Sequence, residues 1–146
     1  MNALADLGSS SILACGVNAE GEPWRIGVRN PRGESRSDLA ATVQLSDAML
    51  SASGDDERYF LYEGRRYHHL VDPRTGNPAE TGLASVTVIL PQDAMTGTMW
   101  AGHEGQLSDM LSTAIFVMGA ERGHSLLTDI PGAQLILIGT DGRVIE

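Results

Sequence analysis

The sequence lacks several features on which whole classes of protein depend. Its 146 residues include a single cysteine, so no internal disulfide framework can form. No hydrophobic run approaches the roughly 20 apolar residues that a membrane-spanning helix requires. Lysine and arginine number 10 against 19 aspartate and glutamate residues, which gives a formal net charge of -9 at pH 7. This excess of acid argues against nonspecific nucleic-acid binding, which needs a basic surface, so we expect no nucleic-acid partner.

The amino-terminal segment lacks the marks of an export signal. Residues 12–15, Ile-Leu-Ala-Cys, loosely resemble a lipidation box. However, no basic residue stands at the start, Asp6 interrupts the segment, and three serines precede a very short apolar run. We therefore predict neither a signal peptide nor a lipobox, and a cytoplasmic location for the chain as it stands.

The residues that are present predict one globular domain over 1–146. Hydrophobic residues make up 42% of the chain, which is ordinary for a globular protein, and this length can bury a real core. Apolar residues alternate or run together in four segments that predict β-strands, at 24–29, 39–45, 48–53 and 134–138. Residues 57–67 predict a β-hairpin around a turn at Glu63-Gly64.

Two helices are predicted in the last third of the chain. Apolar residues recur at three- and four-residue spacing across 107–118, and the stripe through Leu111, Ile115 and Met118 should face the core. Residues 121–128 predict a second helix. Together these elements predict an α+β fold, a mostly antiparallel sheet with a C-terminal helix pair.

Residues 95–106 are interpreted as a loop insertion ahead of the first helix. His103 and Glu104 lie within it and are possible metal ligands. We prefer a surface position for both, because nothing at ligand spacing accompanies them.

The densest cluster of reactive side chains lies at 68–76. Its sequence is His-His-Leu-Val-Asp-Pro-Arg-Thr-Gly, which places two imidazoles, a carboxylate, a guanidinium and a hydroxyl within nine residues. The cluster stands where a predicted strand passes into a loop, a favoured place for chemistry. Asp-Pro-Arg-Thr-Gly is also a good turn in its own right, so composition alone leaves a purely structural role open.

Several ordered motifs resemble the ApbE family, the FAD:protein FMN transferases. The family signature His-Ile-Ile-Asp-Pro-Arg/Lys-Thr-Gly stands here as His-Leu-Val-Asp-Pro-Arg-Thr-Gly at 69–76. Residues 51–60 are similar to the family's Thr-Ser-Gly-x-Tyr-Glu-Arg-Tyr-Phe, and 85–89 resemble its next strand. Residues 108–119 resemble its Ala-Asp-Ala-Leu-Ala-Thr-Ala-Leu-Phe-Val-Leu-Gly. Residues 7–9 stand on its Leu-Gly-Gly, with serine replacing the second glycine.

The resemblance implies a fold, an activity and partners. The chain resembles the C-terminal portion of the ApbE (T-fold-like) domain, so the N-terminal half would be missing or the site completed in an oligomer. The implied reaction moves FMN from FAD onto a threonine of an acceptor protein, with Mg²⁺ required and AMP released. The alternatives are an FAD pyrophosphatase and a non-catalytic flavin-binding fragment.

The resemblance also implies which residues form the site. It assigns catalysis to His69, flavin binding to Gly8, Ser53, Gly54, Asp72, Arg74 and Thr75, and metal binding to Asp109 and Thr113. We expect His69, not His68, to act as the general base, since imidazole accepts protons near neutral pH. The replacement of the family's second glycine by Ser9 departs from the pattern, because glycine lets backbone approach a cofactor closely.

The metal site and the role of Arg74 both have structural alternatives. Asp109 and Thr113 are four residues apart and therefore share one helix face. Without the resemblance, Thr113 would bond the carbonyl of Asp109, and Asp109 would cap the helix start. Arg74 could bond a phosphate or, equally well, Asp72.

Overall fold

The structure is a computed structural model and describes residues 1–8 and 10–145. In chain order the elements are β1 (Ala3–Asp6), β2 (Ser11–Cys15), β3 (Trp24–Arg29), β4 (Leu39–Leu45), β5 (Ala48–Gly54), β6 (Tyr59–Tyr62), β7 (Arg65–His68), β8 (Val71–Asp72), β9 (Asn77–Pro78), β10 (Leu83–Pro91), α1 (Glu104–Met118), α2 (Ala120–Leu127), β11 (Gln134–Gly139) and β12 (Val144–Ile145). Neither helix within these residues has the length and apolar character needed to cross a bilayer.

One six-stranded sheet organises the fold. Its strand order is β1-β2-β5-β10-β11-β12, and each neighbouring pair is antiparallel. Three smaller two-stranded sheets pair β3 with β4, β6 with β7, and β8 with β9. The predicted α+β class is confirmed, with the helix pair inserted between β10 and β11. The predicted strands also form, two of them with the predicted bounds, β3 and β4.

The central strand β10 is buried on both faces, which explains its nearly unbroken apolar sequence. On one face, Val86 and Val88 pack against Ile115 and Phe116 of α1. On the other face, Ile89 belongs to a second cluster that includes Ile26 of β3. The β3–β4 hairpin therefore covers one end of the second face.

The predicted hairpin at 57–67 is confirmed. Strands β6 and β7 pair in register from Tyr59 with His68 to Tyr62 with Arg65. The connecting residues Glu63 and Gly64 both have positive φ, 49° and 76°, as a two-residue type I′ turn requires. This hairpin carries the chain directly into the cluster at 68–76.

The first helix differs from its prediction in two respects. It begins at Glu104, so the last three residues of the predicted insertion are helical. Gly105 is helical although glycine disfavours helix interiors, so the propensity of this one residue does not decide where the helix begins. The predicted apolar stripe is also wrong at one end, because Met118 is 36% exposed. Serines occupy part of the buried face instead.

Candidate functional site

An open cleft of about 1100 Å³ lies beside the sheet at the end of β5. This is slightly above the range of roughly 300–1,000 Å³ seen for small-molecule sites. Its floor includes Leu50 and Ala52 of β5 and Thr87 of β10, and the β3–β4 hairpin contributes Arg25 and Gly27 to its wall. Six of the residues assigned by sequence line this cleft: Gly8, Ser53, Gly54, His69, Asp109 and Thr113.

The two adjacent histidines occupy different environments. The backbone N–H of His69 donates to the carbonyl of Arg58 at 3.2 Å, which fixes its position at the base of the hairpin. Its ring is exposed at the cleft and bonds no residue of the described chain. His68 instead turns inward, with Nε2 at 3.2 Å from the Ala79 carbonyl oxygen and its ring edge-on to Phe116.

Burial lowers the pKa of His68, so its neutral form is favoured inside the protein. Its Nδ1 is buried without a hydrogen-bond partner among the described residues. The structure therefore gives His68 a packing role and leaves His69 open to a substrate. Catalysis by His69 stays a prediction that this geometry supports.

Asp109 and Thr113 lie one turn apart on α1, and both side chains face the cleft. The structural alternatives for both residues are wrong. Asp109 stands in the second turn of a helix that begins at Glu104, so it cannot cap the helix start. The Asp109 carbonyl accepts from Ser112 at 2.9 Å, and Thr113 Oγ1 contacts Ser53 Oγ at 2.9 Å. The Asp109 carboxylate itself has no partner within the described chain.

The donor set at this point suits Mg²⁺. A carboxylate and a hydroxyl are hard oxygen ligands, and Mg²⁺ usually keeps several waters and takes only one or two carboxylates from the protein. Residues 1–8 and 10–145 contain no cluster of three His, Cys, Asp or Glu side chains placed to hold a metal. Asp109 and Thr113 would therefore supply the side-chain ligands, and substrate phosphates and water would complete the shell.

Two glycines, Gly8 and Gly54, were assigned to flavin binding, and their backbone environments differ. At Gly54, an added Cβ would lie 2.7 Å from the Asp56 carboxylate and 3.2 Å from the Ala84 carbonyl oxygen, so a side chain is excluded by the protein itself. Gly8 has a φ of 83° and lines the cleft. The departure at Ser9 lies outside the described residues.

The turn at 72–76 folds upon itself and does not line the cleft. Asp72 accepts from the backbone N–H of Arg74 at 2.9 Å and from its guanidinium at 2.8 to 3.2 Å. Its own carbonyl accepts from the backbone of Thr75 and Gly76. This pairing lowers the pKa of Asp72 and raises that of Arg74. Of the two partners considered for Arg74, the structure shows Asp72; flavin binding by this turn stays a prediction.

We expect Arg74→Lys to lower the thermal midpoint and leave FAD affinity unchanged. Lysine cannot reproduce the bidentate contact of the guanidinium with Asp72, so the turn loses a stabilising pair of hydrogen bonds. No ligand takes part in this contact, so FAD affinity should not change. Differential scanning calorimetry and titration of flavin fluorescence measure the two quantities. A loss of FAD affinity at an unchanged midpoint would assign Arg74 to the ligand instead.

Cations that the sequence did not single out also line the cleft. Arg29 is neutralised by Asp56, at 2.7 Å, and by Glu57. Arg25 and Arg58 are exposed at the cleft and have no acidic partner in the described part of the chain. Their guanidinium groups are available to an anionic ligand. In the sequence, Arg25 stood out only as part of the alternation of apolar and charged residues in β3. That alternation predicted a strand and not a binding site.

Comparisons with known proteins identify the family and the fold. The family model described as "ApbE family" matches residues 1–137. FAD:protein FMN transferases from Treponema pallidum and Haemophilus influenzae are 35% and 33% identical over 98% and 99% of the chain. The crystal structure of an ApbE protein from Thermotoga maritima covers 99% of the chain, with a TM-score of 0.76 and 34% identity.

The chain spans 38% of the length of those two relatives and 42% of the Thermotoga structure. Within that span, the match is continuous in sequence and extends to the fold. The family match, the level of identity and the shared architecture lead to one conclusion: the chain belongs to the ApbE family.

Proposed function

We propose that this chain forms the catalytic part of an FAD:protein FMN transferase. The observation that carries the proposal is the convergence of His69, Asp109 and Thr113 on one cleft, while the neighbouring His68 is partly buried against Phe116 and bonds the Ala79 carbonyl. His69 comes from one motif and the pair Asp109 and Thr113 from another, and folding brings the two motifs to the same cleft. The names of the relatives, FAD:protein FMN transferase, support the same activity.

The proposed reaction breaks the pyrophosphate of FAD. A threonine oxygen of the acceptor protein forms a bond to the phosphorus of the FMN half, the bridging P–O bond breaks, and AMP leaves with the electron pair. His69 takes the proton of the attacking hydroxyl at its free ring nitrogen. A divalent cation held by Asp109 and Thr113 would neutralise charge on the phosphates.

The remaining polar residues of the cleft have supporting roles in this proposal. Arg25 and Arg58 would offset phosphate charge and hold the pyrophosphate in line for attack. The cleft of about 1100 Å³ would hold FAD, and its open side would admit an acceptor segment. Because His69 is exposed, water can take the place of the acceptor, which makes FAD hydrolysis to FMN and AMP the second candidate activity.

The test is to incubate the purified chain with FAD and MgCl₂ and to separate the products by chromatography. We expect AMP to appear, and we expect EDTA to suppress it, because the cation neutralises the phosphates. AMP equal in amount to free FMN would identify hydrolysis. A shifted flavin spectrum with no AMP would contradict catalysis and identify a flavin-binding module.

A further inference from the structure

Hydroxyl groups connect Thr113 to the backbone of its own helix. Thr113 Oγ1 lies 2.9 Å from Ser53 Oγ on β5. Ser53 Oγ lies 2.9 Å from Ser112 Oγ. Ser112 Oγ in turn donates to the Asp109 carbonyl at 2.9 Å. Ser112 is completely buried and Ser53 is 9% exposed, so the middle of this network is shielded from bulk water.

The direction of each hydrogen bond in the network follows from proton counting. Each hydroxyl carries one proton, and a backbone carbonyl can only accept. Ser112 uses its proton on the Asp109 carbonyl, so it must accept from Ser53. Ser53 has then used its own proton and must accept from Thr113. The bonds therefore run from Thr113 through Ser53 and Ser112 to the carbonyl.

We propose that Ser53 and Ser112 are positioning residues, which turn the Thr113 hydroxyl proton away from the cleft and present its oxygen to a cation beside Asp109. This inference rests on the proposed function and its metal site. With its proton committed to Ser53, Thr113 keeps both oxygen lone pairs for a ligand. Such partners behind a ligating residue fix its orientation and tune its affinity.

Ser112 has a second effect in this arrangement. A helical threonine commonly turns its hydroxyl to the carbonyl four residues earlier, which for Thr113 is that of Asp109. Ser112 already occupies that carbonyl. Removing the Ser112 hydroxyl would both release the Ser53 proton and open the carbonyl to Thr113, so the Thr113 hydroxyl would rotate.

The chain offers a matched control one turn earlier on α1. Ser108 is also completely buried, contacts Ser51 of β5 at 2.8 Å and donates to the Gly105 carbonyl at 2.9 Å. It has the same chemistry as Ser112, but its partner Ser51 makes no hydrogen bond to Thr113. Ser108→Ala and Ser112→Ala should therefore lower thermal stability alike, and only the second should affect cation binding.

The experiment uses the complete chain with Mn²⁺ alone as the probe, followed by electron paramagnetic resonance. We expect Ser112→Ala to raise the Mn²⁺ dissociation constant about 10-fold, at the lower end of the 10- to 100-fold range for partners behind a ligand. Ser108→Ala should change it less than about twofold. In metal-free protein, three-bond NMR couplings should show a changed Thr113 χ1 in Ser112→Ala only.

Three results separate this inference from the proposed function. If Ser112→Ala keeps wild-type Mn²⁺ affinity and Thr113 χ1 while Asp109→Ala abolishes binding, the hydroxyl network has no positioning role and the metal site stands. If the wild type binds no Mn²⁺ in the absence of nucleotide, the positioning inference falls, and the proposed function is decided separately by AMP release from FAD. Should Ser112→Ala fail to fold, Ser112→Cys keeps the volume with a weaker donor, and wild-type affinity in that variant would overturn the proposal.

Discussion

Replacing His69 with asparagine should lower AMP release from FAD by about 100- to 10,000-fold, the usual contribution of a general base. Asparagine keeps the side chain polar but cannot accept the proton of the attacking hydroxyl. The His69 ring is exposed at the cleft and makes no hydrogen bond to the described residues, so the substitution should leave the fold intact. Chromatographic measurement of AMP under saturating Mg²⁺ gives the rate.

The matched control is His68→Asn, which removes the same chemical group one residue away. His68 packs on Phe116 and bonds the Ala79 carbonyl, so this variant should lose thermal stability and keep AMP release at temperatures where it is folded. The reverse pattern, with AMP release lost in His68→Asn and retained in His69→Asn, would show that the assignment of the base is wrong.

Local patterns predicted the elements of the fold well. Alternation in β3 and β4, the turn residues Glu63 and Gly64, and the three- to four-residue spacing in α1 each depend on neighbours in sequence. These features identify strands, turns and helices because backbone periodicity is a local property. The bounds of α1 were less accurate, since the helix begins at Glu104, three residues before the predicted apolar pattern starts.

The candidate site was predictable in its motif residues and not in its supporting contacts. The ApbE-like signature at 69–76 pointed to His69, and the motif at 108–119 pointed to Asp109 and Thr113. The structure brings all three to one cleft. Hydroxyl pairs such as Ser53 with Ser112 join residues 59 positions apart, and a serine in an amphipathic helix gives no sign of its partner. The predicted apolar stripe was wrong only at Met118, and the buried face of the helix also includes Ser108 and Ser112, which an apolar pattern does not reveal.

A largely buried ion pair between Arg32 and Asp55 is the clearest feature that the sequence did not reveal. Asp55 follows β5, and its side chain is 6% exposed. Arg32, in the loop between β3 and β4, donates to both Asp55 carboxylate oxygens at 2.7 and 2.6 Å. Arg66 lies 3.9 Å from the same carboxylate and donates to the Asp55 carbonyl at 3.2 Å. The bond to Asp55 and its charge raise the pKa of Arg32.

The ion pair joins the β3–β4 loop to the segment after β5, and that segment is in turn bonded to β10. Arg32 belongs to the loop that also contributes Pro31 and Arg36 to the cleft wall. Asp55 is itself anchored, since its backbone N–H donates to the Ala84 carbonyl at 3.0 Å. Loss of the carboxylate would leave the Arg32 guanidinium partly buried without its countercharge. Removing one partner of a buried ion pair destabilises a protein more than replacing both partners with apolar residues.

Asp55→Ala should therefore lower the free energy of unfolding by about 3 kcal/mol, the lower end of the range for a broken buried pair. We choose the lower end because the Arg32 side chain remains 22% exposed and water can solvate part of its charge. Urea denaturation, followed by circular dichroism, measures the change from the midpoint and slope. A chain of this size should also lose roughly 10 °C in thermal midpoint.

Glu80→Ala is the control, because it removes the same charge from an exposed pair. Glu80 lies 2.6 Å from Arg65, yet their side chains are 70% and 48% exposed. Exposed pairs contribute about 0–1 kcal/mol, so this variant should unfold close to the wild-type midpoint. Equal losses in the two variants would mean that the burial of the Asp55 pair does not determine its contribution to stability. A loss confined to Asp55→Ala would identify this carboxylate as the anchor that holds the β3–β4 loop against the sheet and keeps that wall of the cleft in place.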